Sequence, residues 1–476
     1  MQNDERVWRA VDERKDEYAA FSDRVWEMPE IAYTETRSVA EHLAMLEKEG
    51  ARIEKNLAGI PTAVMGEWGE GGPVIAILGE YDALPGLSQV AGIAEHKEVE
   101  PGGHGHGCGH NLLGAASLLA AAAVKDWLKE NNIPGRVRYY GCPAEEGGAA
   151  KGFMARDGIF NDVDIAISWH PASFSGVNDP VSLANTRIDF TFHGRASHAA
   201  AAPELGRSAL DAVELMNVGV NYMREHMPDH ARIHYAMLDG GGIAPNVVQS
   251  RAKVRYLIRA RDLPELNTLV GRVKKIAEGA SLMTETRVET SVVSAVSNLL
   301  GNTPLEKAMY DNFLRLGPPQ FDDKDREYAA QIQATLTEED IVSAHRRHGL
   351  KVEKGKVLCD IIVPLESKGD GGGVGSTDVG DVSWAVPTVQ ARGATCAIGT
   401  PFHSWQLTAQ GKSPHAHKGM VHVAKVMAGT AVDALRDPAL IERAKAEFKE
   451  RTGGRPYESP LPKDLSPPIK AMGQGV

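Results

Sequence analysis

Cysteine is scarce in this chain. There are four in 476 residues, at positions 108, 142, 359 and 396, with none of the spacing of a disulfide framework. Reduced thiols, and with them a cytoplasmic setting, are the expectation. Long apolar runs are missing too. The longest, residues 112–124, falls short of the roughly 20 residues that a bilayer-spanning helix needs. Residues 1–15 are dense in charge, so a secretory signal is not expected. Nor is there an excess of basic residues. The 52 Lys and Arg against 63 Asp and Glu leave a formal net charge of −11, which argues against nucleic acid or an anionic membrane as the main partner. No internal repeat is visible. What remains, 42% hydrophobic and 24% charged, is an ordinary globular composition, long enough for two domains.

Against that background residues 103–114, Gly-His-Gly-His-Gly-Cys-Gly-His-Asn-Leu-Leu-Gly, stand out. Three histidines and a cysteine fall within seven positions, separated by single glycines that let the backbone turn sharply. Imidazole and thiolate are ligands that borderline transition metals prefer. The apolar run behind them reads as a buried helix, which puts the ligands on a loop at a helix N-terminus. Two further stretches complement the first. Pro143-Ala144-Glu145-Glu146-Gly147-Gly148 follows a β-like run at 136–141, and adjacent glutamates on an extended segment point in opposite directions. Ser168-Trp169-His170-Pro171 ends an apolar strand at 163–167, with Trp169 expected in the core. A Cys/His cluster, a Glu-Glu pair and a strand-end His together have the composition of a two-metal hydrolase site.

Along the chain, residues 4–50 read as helical, with a break at Pro29 and a cap at Thr34. Residues 61–79 read as two strands joined by a glycine-rich turn at 69–72, the second buried on both faces. Asp82 follows at its C-terminal end, where open α/β sheets place their chemistry. Residues 151–157 read as a short helix. From 185 to 296 the pattern is β-α-β-β-α-β, the ferredoxin-like order, in a length typical of a compact inserted domain. Arg259 ends one of its strands, and its guanidinium fork suits a substrate carboxylate. Residues 318–376 read as polar and irregular, with a glycine-rich segment near 369–373. Asp378 and Asp381 are declined as ligands, because better ones are already present. Residues 450–476 read as a loosely held tail.

In order and spacing, His106-Gly107-Cys108-Gly109-His110, Pro143–Gly148 and His170 resemble the M20 metallopeptidase family in its amidohydrolase branch, along nearly the whole chain. The resemblance implies an α/β fold: a catalytic domain with a central mixed β-sheet flanked by helices, discontinuous over 1–184 and 297–476. An inserted ferredoxin-like α+β lid and dimerisation domain would cover 185–296. It implies Cys108 as a thiolate bridging two divalent ions, manganese ahead of zinc. Glu146 and His403 would complete one site, and His110 and His170 the other. Glu145 would be the general base, with Asp82 behind the ligands. His198 would hold the scissile carbonyl oxygen, often across a dimer, and Asn246 would help bind substrate. Many family members carry a metal-binding His two residues before the Asp; here that position is Glu80, which leaves its role open. The implied activity is metal-dependent hydrolysis of an N-acyl or N-aroyl amino acid, aminobenzoyl-glutamate foremost, by a homodimer or a heterodimer with a related subunit. The alternatives are another N-acyl amino acid, a dipeptide or an aromatic amine acid. The alternative of another class is a non-catalytic partner subunit.

Overall fold

The computed structural model describes residues 4–353, 355–367, 369 and 375–472. Its strands are β1 (Arg52–Lys55), β2 (Val64–Glu70), β3 (Val74–Glu80), β4 (Gly135–Cys142), β5 (Ile165–Ala172), β6 (Gly176–Val177), β7 (Ala184–His193), β8 (Arg232–Asp239), β9 (Arg251–Ala260), β10 (Arg287–Val296) and β11 (Thr388–Ala394). β3 is buried at every position, and free of charge up to Glu80 at its end, because it lies inside a sheet covered on both faces. That seven-stranded mixed sheet has the order β1-β2-β4-β3-β5-β11-β6. β3 runs parallel to β4 and β5, and β11 runs parallel to β5. The two strands predicted over 61–79 both form, but they are not paired with each other. β4 enters between them, and Arg136 N donates to Pro73 O at 2.9 Å where the turn passes over its end.

The helix His110–Asn131 is buried over most of its length, since it packs on the sheet beneath the helices Asp4–Trp26 and Pro414–Arg436. Its lack of a polar face is therefore the mark of a core helix. Among the described residues no helix is long and apolar enough to cross a membrane.

β7–β10 form a second, fully antiparallel sheet in the order β10-β7-β9-β8, with the helices Ala209–Met223 and Leu263–Met283 packed on it around their own apolar cluster. This is the ferredoxin-like topology read from the sequence.

Three readings need correction. Helix Thr36–Lys48 is capped not by Thr34 but by Glu30, whose carboxylate accepts from the backbone N–H groups of Arg37 and Ser38 at 2.8–3.1 Å. The stretch 318–376 is not wholly irregular. It contains the helices Asp323–Gln333 and Glu338–Arg346, each opened by a reciprocal capping box (Asp322 with Asp325, Thr337 with Asp340). Residues 370–373 of its glycine-rich segment lie outside the described residues. The tail beyond 450 is docked: Leu461 is buried, Tyr457 Oη donates to Asp381, and Arg156 donates to the carbonyls of Pro462 and Leu465.

Candidate metal centre and its cavity

The C-terminal ends of β3, β4 and β5 converge at the start of the helix His110–Asn131. Gly109, at φ +76°, turns the chain into that helix, and a Cβ there would press on the Pro171 ring at 3.0 Å. Cys108 and His110 are thereby aimed at His170 near the end of β5. Cys108 Sγ lies 3.5 Å from His170 Nε2. From the far side the loop before helix Trp405–Gln410 brings in His403. Its backbone is held in the left-handed region at φ 57° by a 2.8 Å hydrogen bond from its N–H to Gly107 O.

The glutamate pair does not sit on an extended segment. β4 stops at Cys142, and Glu145 and Glu146 lie in a tight turn with Ala144 left-handed at φ 55°. Buried Glu35 clamps this turn by accepting from Ala144 N and Tyr33 N, both at 2.9 Å. The two carboxylates still diverge. Glu146 Oε1 lies 3.2 Å from His403 Nε2, while Glu145 groups with Glu80 and His110.

Three sets of donor atoms lie within 4.8 Å of one another: Cys108, His110 and His170; Cys108, Glu146 and His403; and Glu80, His110 and Glu145. These sets contain all five proposed ligands, with Cys108 common to the first two, and add Glu80 and Glu145. Their chemistry suits a divalent cation. His110 Nδ1 donates to Asp82 Oδ1 at 2.9 Å, and His170 Nδ1 donates to Pro171 O at 2.9 Å. Each bond fixes the tautomer whose Nε2 lone pair faces the cluster. Among the described residues His110 Nε2, Glu80 Oε2 and Glu146 Oε1 are buried with no hydrogen-bond partner, although His110 Nε2 and Glu80 Oε2 are only 3.3 Å apart. Lone-pair atoms so close and unbonded are the arrangement of ligands around an ion.

Electrostatics separates the glutamates. Burial works against ionisation of Glu146, but the close His403 ring, with His110 beside it, outweighs burial and holds its pKa at about 2. Burial, reinforced by the negative charges of Glu80 and Glu146, pushes the Glu145 carboxyl well above the usual range. Asp82 does not line the cavity. Its second oxygen accepts from Glu146 N at 2.8 Å, so one carboxylate orients both His110 and the Glu146 turn.

Glu80 is explained by a residue the sequence reading passed over. Lys151 is fully buried at the start of helix Ala150–Arg156, with Nζ 2.8 Å from Glu80 Oε1 and 2.6 Å from Asp378 Oδ1. The lysine lies six residues after Glu145, at the head of the short helix read from the sequence, and that position is its one sequence signal. Replacing it leaves two buried carboxylates without their counter-charge. Lys151→Met should cost about 3–5 kcal/mol of stability, the usual penalty for breaking a buried ion pair. Denaturant unfolding of both proteins checks this, and a difference below about 1 kcal/mol would show the network to be unimportant for stability.

The remaining sequence candidates divide. His106 faces away from the cluster and makes a hydrogen bond through Nε2 to Val25 O at 3.2 Å, anchoring the loop to the N-terminal helix. His415 and His417 are engaged with Gln410 and Asp23. Trp169 is buried and donates to Leu113 O. Arg259 lines the same cavity as the metal-ligand candidates, a space of about 710 Å³, and donates to Ser376 Oγ at 2.9 Å. His198 and Asn246 do not line it. They are exposed together on the second sheet's loops, where Ala199 N donates to Asn246 O and His198 pairs with Val247.

Comparison with known proteins accords with this geometry. Peptidase family M20/M25/M40 matches residues 76–466. A subunit of the p-aminobenzoyl-glutamate hydrolase of Escherichia coli K12 is 46% identical, with 97% of this chain and 98% of that protein aligned. The Xaa-Arg dipeptidase of Mus musculus is 28% identical, with 93% and 91% aligned. The crystal structure of a dinuclear metal-binding M20 peptidase from Bacillus subtilis superposes with a TM-score of 0.54 at 17% identity, covering 88% of this chain and 99% of that one.

Proposed function

We propose, from the premise that this chain belongs to peptidase family M20/M25/M40, that it hydrolyses the amide bond of an N-acyl amino acid with two divalent ions. The observation that carries the reading is the convergence of Cys108, His110, Glu146, His170 and His403 on shared points. Cys108, Glu146 and His403 would hold one ion, and Cys108, His110 and His170 the other. Lys151 holds Glu80 Oε1, and the other oxygen of Glu80 stands 3.3 Å from His110 Nε2 beside these five ligands. Manganese is expected ahead of zinc. When bound, such ions polarise the scissile carbonyl and make water a better nucleophile.

The chain's own residues do the rest. Glu145, on the cavity wall, takes a proton from the attacking water as its oxygen adds to the carbonyl carbon. The same carboxyl returns a proton to the amide nitrogen as the C–N bond breaks, releasing a carboxylate and a free amine. Asp82 keeps His110 and Glu146 in register. Arg259 takes the carboxylate of the departing amino acid. The E. coli relative's name indicates p-aminobenzoyl-glutamate, which would give p-aminobenzoate and glutamate. A panel of N-aroyl-glutamates, other N-acyl amino acids and dipeptides, run with metal analysis of the purified chain, tests the reading. Turnover confined to dipeptides would favour the activity named for the Mus musculus relative. No turnover without an added partner chain would favour a non-catalytic role.

Residues 185–296 act here as lid and dimerisation domain. His198 and Asn246 stand off the cavity of their own chain, on a surface where Tyr235, Met237, Ile243 and Val247 are also exposed. That position suits service to a second chain's site. His198→Ala and Glu145→Gln proteins should each be nearly inactive, and mixing them after subunit exchange should restore a measurable fraction of activity. No recovery, with exchange confirmed by sedimentation of tagged chains, would place His198 outside the reaction.

A further inference from the structure

The metal centre leaves several cations of the cavity wall unused, Arg187, Arg347 and Arg392 among them, and Arg392 is the one held by two side chains. Arg392 on β11 is in parallel register with His170 on β5, so the two side chains neighbour each other on one face of the sheet. Arg392 Nε donates to Asn178 Oδ1 and Nη1 donates to His348 Nδ1, each at 2.6 Å. Both acceptors are neutral. Among the described residues no carboxylate comes within the 4.0 Å of an ion pair, and Asp179 acts on it only from farther off. Nη2 makes no hydrogen bond there. A guanidinium partly withdrawn from water with no carboxylate in contact carries a cost, and burial draws its pKa down only to about 10, so it remains a cation at neutral pH.

The surroundings aim it. Asn178 is itself fixed, its Nδ2 donating to Gln390 Oε1 at 2.6 Å. His348, which follows helix Glu338–Arg346, packs edge-on against Phe174 with ring centroids 5.1 Å apart. Because its Nδ1 accepts from Arg392, its Nε2 carries the hydrogen and offers another donor. Arg392, Asn178 and His348 all line the cavity that holds Cys108, Glu145 and Arg259.

We propose that Arg392, oriented by Asn178 and His348, binds a second carboxylate of the substrate, distinct from the one beside the scissile amide that Arg259 takes. This rests on the amide-hydrolase reading above. The guanidinium fork matches a carboxylate in two places at once. That carboxylate could belong to the amino acid's side chain or to the acyl group, and the two sources can be told apart.

The test uses the metal-loaded protein and two matched pairs. N-benzoyl-glutamate against N-benzoyl-glutamine varies the amino-acid side, and 4-carboxybenzoyl-norvaline against benzoyl-norvaline varies the acyl side. Arg392→Gln should lower kcat/KM for one dianion by roughly 10–100-fold more than for its monoanionic partner, chiefly through KM, as expected for lost charged hydrogen bonds. The affected pair identifies the source. Arg392→Lys should recover part of the loss, and Arg259→Gln should depress both members of each pair alike. Equal losses across both pairs, or none, would overturn the proposal and leave Arg392 as a tie between the sheet and the His348 loop. If no compound is hydrolysed, the amide reading fails separately. Calorimetric affinities for the same four compounds then decide the subsite: wild type must hold one dianion at least tenfold tighter than its partner, and Arg392→Gln must erase that difference.

Discussion

Glu145→Gln should retain both metal ions and lose about 10²–10⁴-fold in kcat, the usual weight of a positioned general acid–base. The expectation follows from how the turn divides its two glutamates. Glu146 faces Cys108 and His403, whereas Glu145 stands on the cavity wall near Glu80 and His110. Glutamine preserves the shape at 145 and removes only the basicity, so ligation and turnover are separated. At Glu146 the same change removes a ligand, and metal content should fall with activity. The decisive measurement is kcat against added metal. If Glu145→Gln regains near-normal turnover in excess manganese, Glu145 merely supports metal binding; Asp82 cannot replace it as the base, because it lies off the cavity with both oxygens engaged.

Much of this candidate site is legible in the sequence alone, because the residues proposed as ligands sit where local chemistry announces them. Gly-flanked Cys108 precedes a helix that His110 opens, and His170 lies near the end of an apolar strand. The ferredoxin-like unit is legible for a similar reason: alternating strands and two amphipathic helices follow one another without interruption. What cannot be read is long-range. Nothing near Lys151 in sequence shows that Asp378, 227 residues away, closes an ion network with Glu80. His106 looks as good a ligand as His110, and only the fold shows it turned toward Val25. The helices Asp323–Gln333 and Glu338–Arg346 escape the sequence reading because few of their residues are buried, leaving their capping residues as the main local mark of where they begin. That omission hides His348, and with it the second cationic wall of the cavity.

Chelation should abolish hydrolysis, and manganese or zinc should restore it, with Cys108 as the most sensitive ligand. Cys108 is the residue shared by the Cys108–His110–His170 and Cys108–Glu146–His403 groups, so one substitution touches both. Cys108→Ala should lose at least one ion per chain by elemental analysis. Losing an ion that stabilises the transition state by several kcal/mol should cost on the order of 10³-fold in rate. A collapsed fold would give the same inactivity, so the comparison needs a control from the same loop. His106→Gln alters a histidine two residues away that points elsewhere, and it should keep both ions even if stability falls. Two ions bound to Cys108→Ala, or undiminished activity in a rigorously metal-free preparation, would remove the thiolate from the centre. Two ions in wild type, at most one in Cys108→Ala and two in His106→Gln would make Cys108 the bridge on which both halves of the site depend.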